Sequence, residues 1–131
     1  MNTATVARVA RAMPEADLLA NVLDRARWLG VAAAHFRPAR TKAGWRTAVA
    51  GDGKGFPDLV LVGPGGVLYR ELKAEAGRLE PAQKRWRDAL QAAGADWAVW
   101  RPSDLLAGRV DAELKTIGHV GHPHRMDLPG Q

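Results

Sequence analysis

The chain has 131 residues, of which 47% are hydrophobic and 25% charged, as is typical of one globular domain. It contains no cysteine, which excludes a disulfide scaffold, a thiolate nucleophile and a cysteine-ligated zinc or iron–sulfur site. No apolar run approaches the ~20 residues of a membrane span, and the first residues do not resemble a secretory signal. We therefore expect a cytoplasmic protein with no membrane partner.

The composition divides the chain into three regions. Residues 1–13 are small, polar and basic, and we expect them to be flexible. Residues 14–108 carry the regular apolar patterns and predict the folded domain. Residues 109–131 predict a weak helix followed by a loose tail rich in Gly, Pro and His, and we expect no biological metal site among its histidines.

The folded region begins with a helix, since apolar residues recur at helical spacing from Leu18 to Leu29, between Pro14 and Gly30. The later patterns predict a buried strand at 31–36, a long loop at 37–55, strands at 57–62 and 67–73, a helix at 81–93, a strand at 97–100 and a short helix after Ser103. This order predicts an α/β fold with a single mixed sheet flanked by helices.

The predicted loop at 37–55 carries +4 of the net charge of +5. A basic loop of this length is typical of a functional segment, and phosphate is its expected ligand. Its glycines at 51, 53 and 55 lack the Lys-Ser/Thr of a phosphate-binding P-loop, so we expect no nucleotide cofactor. The candidate contacts to a polyanion, such as DNA, are Arg37, Arg40, Lys42, Trp45, Arg46 and Lys54, although packing is the commoner role for such a tryptophan.

The predicted hairpin brings charged residues together at one end. If residues 63–66 form its loop, Asp58 lies opposite Glu71, and the two-residue side-chain period puts Lys73 on the same face. Like charges directly opposite each other destabilise a sheet, so a hard divalent cation between the carboxylates is one interpretation. The other is that Lys73 simply pairs with Glu71 on an exposed face.

Two further polar residues are predicted to point at the same end of the sheet. Glu15 opens the apolar stripe of the first helix. Gln83 lies on the inward stripe of the helix at 81–93, together with Trp86, Ala89, Leu90 and Ala93. A polar group in such a position needs a partner, which a shared polar site would supply. Each also has a structural explanation, since Glu15 can offset the helix dipole and Gln83 can belong to a capping box.

These residues carry a family resemblance. Pro57-Asp58 followed by Glu71-Leu72-Lys73 matches the PD-(D/E)xK nuclease pattern. With their surroundings, from about Glu15 to Asp104, they resemble a VRR-NUC domain, the virus-type replication–repair nuclease family. The resemblance rests on four segments: Gly55-Phe56-Pro57-Asp58-Leu59-Val60, Glu71-Leu72-Lys73, Gly77-x-Leu79-x-Pro81-x-Gln83-x-x-Trp86, and the strand at 97–100 with Arg101-Pro102 after it.

The resemblance implies a restriction-endonuclease-like fold that binds Mg²⁺, with Mn²⁺ able to substitute. The implied metal ligands are Asp58, Glu71 and the Leu72 carbonyl, with Glu15 acting through a water. Lys73 would position and polarise the attacking water. Gln83 would then orient Lys73 or that water.

The implied activity is that of a DNA endonuclease leaving 5′-phosphate ends on branched DNA such as four-way junctions or flaps. Because one domain offers one active site, cutting two strands favours a homodimer. Stand-alone members of the family are often encoded by phages, so a bacterial host cell is expected. The alternative function is a DNA-binding or assembly module with a vestigial nuclease site.

Overall fold

The structure is a computed structural model that describes the backbone of residues 2–36, 38–41, 44–47 and 51–119, and the side chains of 2–36 and 51–119. No helix in these ranges is long and apolar enough to cross a membrane. The elements are α1 (Thr3–Ala12), α2 (Glu15–Trp28), β1 (Ala32–His35), β2 (Pro38–Thr41), β3 (Gly44–Thr47), β4 (Leu59–Gly63), β5 (Gly66–Leu72), α3 (Pro81–Ala92), β6 (Asp96–Trp100), α4 (Pro102–Leu106) and α5 (Arg109–Ile117).

A four-stranded sheet in the order β1-β4-β5-β6 forms the centre of the fold. The pairs β1–β4 and β4–β5 are antiparallel, whereas β5 and β6 are parallel and connected through α3. The sheet is therefore mixed and flanked by helices, and the predicted fold class is confirmed. Alternate residues of β4 and β5 fill the core on one face, where they pack with residues of α2, β6 and α5, among them Leu18, Val22, Leu59, Leu61, Leu68, Leu72, Trp100 and Leu114.

Both ends of the described chain are more regular than composition predicts. The segment predicted to be flexible forms α1, where the Asn2 side chain accepts a hydrogen bond from the Thr5 amide at 2.8 Å and Ala10 is buried. The helix predicted to be weak is α5, which buries Val110, Leu114 and Ile117 in the core. Its apolar residues lie on one face and cover the sheet. The free energy gained by this burial outweighs the low stability that so short a helix has by itself. The tail beyond residue 119 lies outside the described residues.

Three local predictions were wrong. The segment 37–55 is not a continuous loop, because β2 and β3 pair as an antiparallel hairpin within it; its Gly, Arg and Lys content has little β propensity and conceals the strands. The strand at 31–36 is not buried throughout, because β1 is an edge strand and exposes Ala33 and Ala34. In α3, Ala89 and Ala93 were expected to face inward but are exposed, and only Ala82 is buried.

The turn between β4 and β5 packs against the end of α5. Gly63 pairs with Gly66, and the amide of Gly65 donates a hydrogen bond to the Ile117 carbonyl at 2.9 Å. A Cβ atom on Gly63 would overlap the backbone of Ile117, so only glycine permits this approach. The turn therefore fixes the closed end of the hairpin against the helix.

A buried arginine ties β5 to α5. Arg70 is 2% exposed, and its guanidinium donates to Glu113 Oε1 at 2.7 and 3.1 Å. The same oxygen accepts the Trp100 indole N–H at 3.0 Å, and the guanidinium lies 5.2 Å from the centre of the Trp100 ring. Burial alone would raise the pKa of Glu113, but hydrogen bonds from Arg109, Trp100 and Arg70 outweigh it and hold that pKa below its usual range. These bonds neutralise a charge that would otherwise be costly to bury.

We predict that Glu113→Ala lowers the free energy of unfolding by about 2 kcal/mol, because it removes the carboxylate that accepts two hydrogen bonds from the buried Arg70 guanidinium and leaves the exposed Asp96 carboxylate as its anion. Urea denaturation of the purified protein measures this change. Asp111→Ala, in the same helix, is the matched control: it breaks the pair of Asp111 with Arg25, whose side chain is 40% exposed, and it should cost under about 1 kcal/mol. Equal losses in the two variants would contradict the assigned role of the Arg70 network.

Candidate active site

The hairpin register brings Asp58 beside Glu71. Leu59 pairs with Arg70 and Val62 with Val67, which confirms the predicted register and leaves Asp58 one residue before β4. The backbone carbonyl of Asp58 accepts a hydrogen bond from the Phe36 amide at 2.8 Å. The side-chain Oδ2 atom of Asp58 accepts one from the Leu72 amide at 2.9 Å. Both backbone and side chain of Asp58 are therefore fixed to neighbouring strands.

Glu71 lies buried against Asp58. The residue is 2% exposed, and its carboxyl lies close to that of Asp58. Burial and the adjacent Asp58 carboxylate together raise the pKa of Glu71 to about 9. Both effects favour the protonated form of the Glu71 carboxyl, because an ionised carboxylate is costly both in a buried place and beside a second carboxylate.

Gln83 forms the capping box that was one interpretation of it, and it also contacts a carboxyl of the site, namely Glu71 rather than Lys73. Its Oε1 atom accepts the Glu80 amide at 2.7 Å, which completes a capping box at the start of α3. Its Nε2 atom donates to Glu71 Oε1 at 2.8 Å. Because the capping bond occupies the oxygen, the amide nitrogen is the group presented to Glu71, and α3 orients this carboxyl.

Lys73 follows the buried end of β5 and faces the carboxyl groups. It lowers the pKa of Glu71 and of Glu15, but among the described side chains no carboxylate lies within ion-pair distance of it. The alternative of a Lys73–Glu71 pair on an exposed face is therefore wrong, since Glu71 is buried. The segment after Lys73 is held by Arg101, whose guanidinium donates to the carbonyls of Ala74 and Gly77 at 2.8 and 2.7 Å.

Glu15 reaches the same cluster from the first turn of α2. The residue is exposed overall, yet partial burial and the Asp58 carboxylate raise the pKa of its carboxyl, while Lys73 lowers it. Asp17, two residues later, lines a different surface depression together with Val9 and Met13. Glu15, rather than Asp17, is thus the acid of α2 that faces the carboxylate pair. Its place at the helix N-terminus is also favourable for a negative charge.

A glycine and an aromatic cluster position the approach to Asp58, and the sequence analysis did not identify this role. Gly55 has a φ of +83°, and a Cβ atom there would overlap the backbone of Ala82 in α3. The next residue, Phe56, makes edge-to-face contacts with Phe36, Tyr69 and Trp86 at ring-centre distances of 5.6, 6.3 and 4.9 Å. The signal available in the sequence was an aromatic residue, Phe56, between a glycine and Pro57. Nothing in the local pattern distinguishes Phe56 from the other apolar residues.

The donor set fits a hard divalent cation. Asp58 and Glu71 offer carboxylate oxygens in contact with each other, and a cation between them would replace the proton that Glu71 holds. Among residues whose side chains are described, no group of three or more His, Cys, Asp or Glu side chains is arranged to hold a metal ion. The carboxylates of Asp58 and Glu71 are therefore the pair that this site offers to a cation.

Most of the predicted DNA contacts cannot be placed. The side chains of Arg37, Arg40, Lys42, Trp45 and Arg46 lie outside the described residues, so these contacts stay predictions. The side chain of Lys54 is described: it is exposed and lines a surface cavity beside Trp86. The basic segment thus leads directly into the Gly55–Asp58 approach to the carboxylates.

Comparison with known proteins gives one positive finding. The family model described as the VRR-NUC domain matches residues 13–104 of this chain. No curated protein and no solved structure gave a significant match. The matched range contains Glu15, Asp58, Glu71, Lys73 and Gln83, and it ends before α5.

We predict that Glu71→Gln stabilises the metal-free protein at alkaline pH. Folded Glu71 keeps a proton up to a pKa of about 9, whereas unfolded Glu71 releases it near 4.5, so the wild type loses unfolding free energy as pH rises between these values. Glutamine retains the contact with Gln83 without that loss. Thermal unfolding in EDTA should show a gain of at least about 1 kcal/mol at pH 8 and little gain at pH 5.

The control for this measurement is Asp88→Asn, which removes an exposed carboxylate paired with Arg87. Its stability should follow the wild-type pH profile. A Glu71→Gln profile parallel to that of the wild type would show that Glu71 is ionised in the folded protein.

Proposed function

This chain belongs to the VRR-NUC domain family, whose domains are nuclease-type and process DNA, and from that premise we propose that it is a divalent-metal-dependent DNA endonuclease. The observation that carries the proposal is the buried Glu71 carboxyl held against Asp58 by Gln83, with an ammonium facing both. Burial of the Glu71 carboxyl against a second acid lowers the stability of the fold, and binding of a cation between the two acids would explain why the pair is present.

We assign Mg²⁺ as the cofactor, with Mn²⁺ able to substitute, and Asp58, Glu71 and the Leu72 carbonyl as the groups that hold it. Glu15 faces the pair at a greater distance and would act through a water. When bound, such an ion lowers the pKa of bound water and neutralises charge on the scissile phosphate.

The protein's own groups have separate tasks in this proposal. The Leu72 amide keeps the Asp58 carboxylate in place, and the Gln83 amide fixes the rotation of the Glu71 carboxyl. Lys73, with no described anion to neutralise it, presents a positive charge that stabilises negative charge on the phosphate and orients the attacking water. Hydrolysis would leave a 5′ phosphate and a 3′ hydroxyl.

The finer substrate is branched DNA, such as four-way junctions or flaps, cut by a homodimer. A single chain offers one carboxylate pair, so two nicks at one junction call for two chains. Light scattering on the protein with a four-way junction tests the stoichiometry. Nicking rates on junction, flap and linear duplex DNA test the selectivity.

The alternative is a DNA-binding or assembly module whose nuclease site is vestigial. The presence of both carboxylates, Lys73 and Gln83, with the contacts described above, favours the enzyme. DNA binding without cleavage in either metal would favour the module.

We predict that Asp58→Ala and Glu71→Ala each abolish Mg²⁺-dependent cleavage, with a rate loss of at least about 1,000-fold, because each removes a ligand of the metal. Lys73→Met keeps the aliphatic stem but removes the charge, and should lower the rate by about 100-fold. Gel assays with labelled DNA, in Mg²⁺, Mn²⁺ or EDTA, measure these effects. EDTA should stop cleavage by the wild type.

Asp88→Asn serves as the control carboxylate, since it is 67% exposed and pairs only with Arg87 among the described residues. It should cleave at the wild-type rate. Binding of DNA in EDTA should be nearly unchanged in Asp58→Ala. Cleavage by that variant at the wild-type rate would overturn the metal assignment.

A further prediction concerns the basic segment. Replacing Arg37, Arg40 and Arg46 with Gln should weaken binding to duplex DNA and flatten the slope of log affinity against log salt by up to about 2.7, the equivalent of three phosphate contacts. Fluorescence anisotropy over a salt series measures the slope. An unaltered slope would place the DNA path elsewhere, for example along Lys84 and Arg85.

A further inference from the structure

A cavity of about 480 Å³ lies beside the carboxylate pair and has no role in the proposed catalytic steps. Trp86, which lines it, follows Gln83 by three residues, so the two residues are about 4.5 Å apart along the axis of α3. Its volume falls within the range of small-molecule and nucleotide sites. The lining residues are Gly51, Asp52, Lys54, Arg85, Trp86 and Ala89.

The aromatic wall of this cavity is fixed in place. The Trp86 indole N–H donates to the Asp52 carbonyl at 2.9 Å, and its ring meets Phe56 edge-to-face at 4.9 Å. A half-buried ring with a fixed orientation can stack on a planar ligand without further loss of side-chain freedom. A tryptophan with a purely structural role would instead have its ring covered by neighbouring side chains.

Two cations complete the lining. Lys54 and Arg85 both border the cavity, and among the described side chains neither has a carboxylate within the 4.0 Å limit for an ion pair. Arg87, two positions after Arg85, is by contrast paired with Asp88 at 2.9 Å. Asp52 also lines the cavity, so its lining residues carry a net charge of +1, and the cavity combines a stacking surface with a positive charge, the combination that recognises a nucleotide.

We propose that this cavity binds one unpaired nucleotide of the DNA substrate, with its base against Trp86 and its phosphate on Lys54 and Arg85. An unpaired base is favoured over duplex because only a base outside the helical stack can present a face to Trp86. The inference rests on the proposed function, and it names a part of the substrate held next to the cut. It also supplies a physical reason for selecting DNA with single-stranded branches.

The decisive variant fills the cavity and removes no interaction. Ala89→Leu adds a side chain from an exposed position of α3 that borders the cavity, and Ala92→Leu, exposed one turn later and outside the lining, is the matched control. Both substitutions are compatible with a helix. The probes are a labelled short oligothymidylate and a labelled blunt duplex, and fluorescence anisotropy in EDTA measures affinity.

We expect Ala89→Leu to weaken oligothymidylate binding by about 5- to 150-fold, the effect of losing one stacked base, and to leave duplex binding unchanged. Ala92→Leu should match the wild type on both probes. Trp86→Leu should reproduce the loss, whereas Trp86→Phe retains a stacking ring and should retain most of the affinity.

Wild-type affinity of Ala89→Leu for oligothymidylate would overturn the proposal, as would an equal loss on duplex. Because all binding is measured in EDTA, the result does not depend on catalysis. A protein that never cleaves DNA but loses oligothymidylate binding in Ala89→Leu would refute the proposed nuclease and support the cavity.

Discussion

Burial of the Glu71 carboxyl against that of Asp58 is the constraint on which the site depends. Glu71 is 2% exposed and lies against the half-buried Asp58, so the two acids are tolerable together only with a proton or a cation between them, and burial and the Asp58 carboxylate accordingly raise the pKa of Glu71 to about 9. The surrounding contacts serve this pair. The Leu72 amide and Gln83 fix the two carboxyls, and Gly55 allows the chain to pass α3 closely enough to bring Asp58 into place.

Consecutive residues of β5 send opposite charges to opposite faces of the sheet, and a different helix satisfies each. Glu71 meets Gln83 of α3, whereas Arg70 meets Glu113 of α5 and the Trp100 ring. The match to the family ends at residue 104, before α5 begins. The strand that carries the acidic site is therefore bound, on its other face, by a helix outside the matched region. Because Arg70 and Glu71 are consecutive, a shift of the backbone at Arg70 would also displace Glu71.

Helix α3 links the carboxylate pair to the neighbouring cavity. Its first turn supplies Gln83 to Glu71, and its second and third turns supply Arg85, Trp86 and Ala89 to the cavity. Because a helix is rigid over this length, a nucleotide bound at Trp86 would have a defined position relative to the carboxylates. The exposure of Ala89, unexpected from its place on an apolar stripe, leaves that cavity open.

The sequence by itself determined the mixed α/β fold, the hairpin register and the approach of Asp58, Glu71 and Lys73, because a two-residue strand period and a short glycine turn leave few alternatives. It also identified Gln83 and Glu15, although their partners were unspecified. Only the tertiary structure decided that Glu71 is buried rather than paired with Lys73, that Arg70 is neutralised from α5, and that Trp86 borders a cavity. Each outcome depends on contacts between residues on different elements: Glu71 with Gln83, 12 positions away, Arg70 with Glu113, 43 away, and Trp86 with Asp52, 34 away. Local pattern carries no information about which distant side chain fills the remaining space.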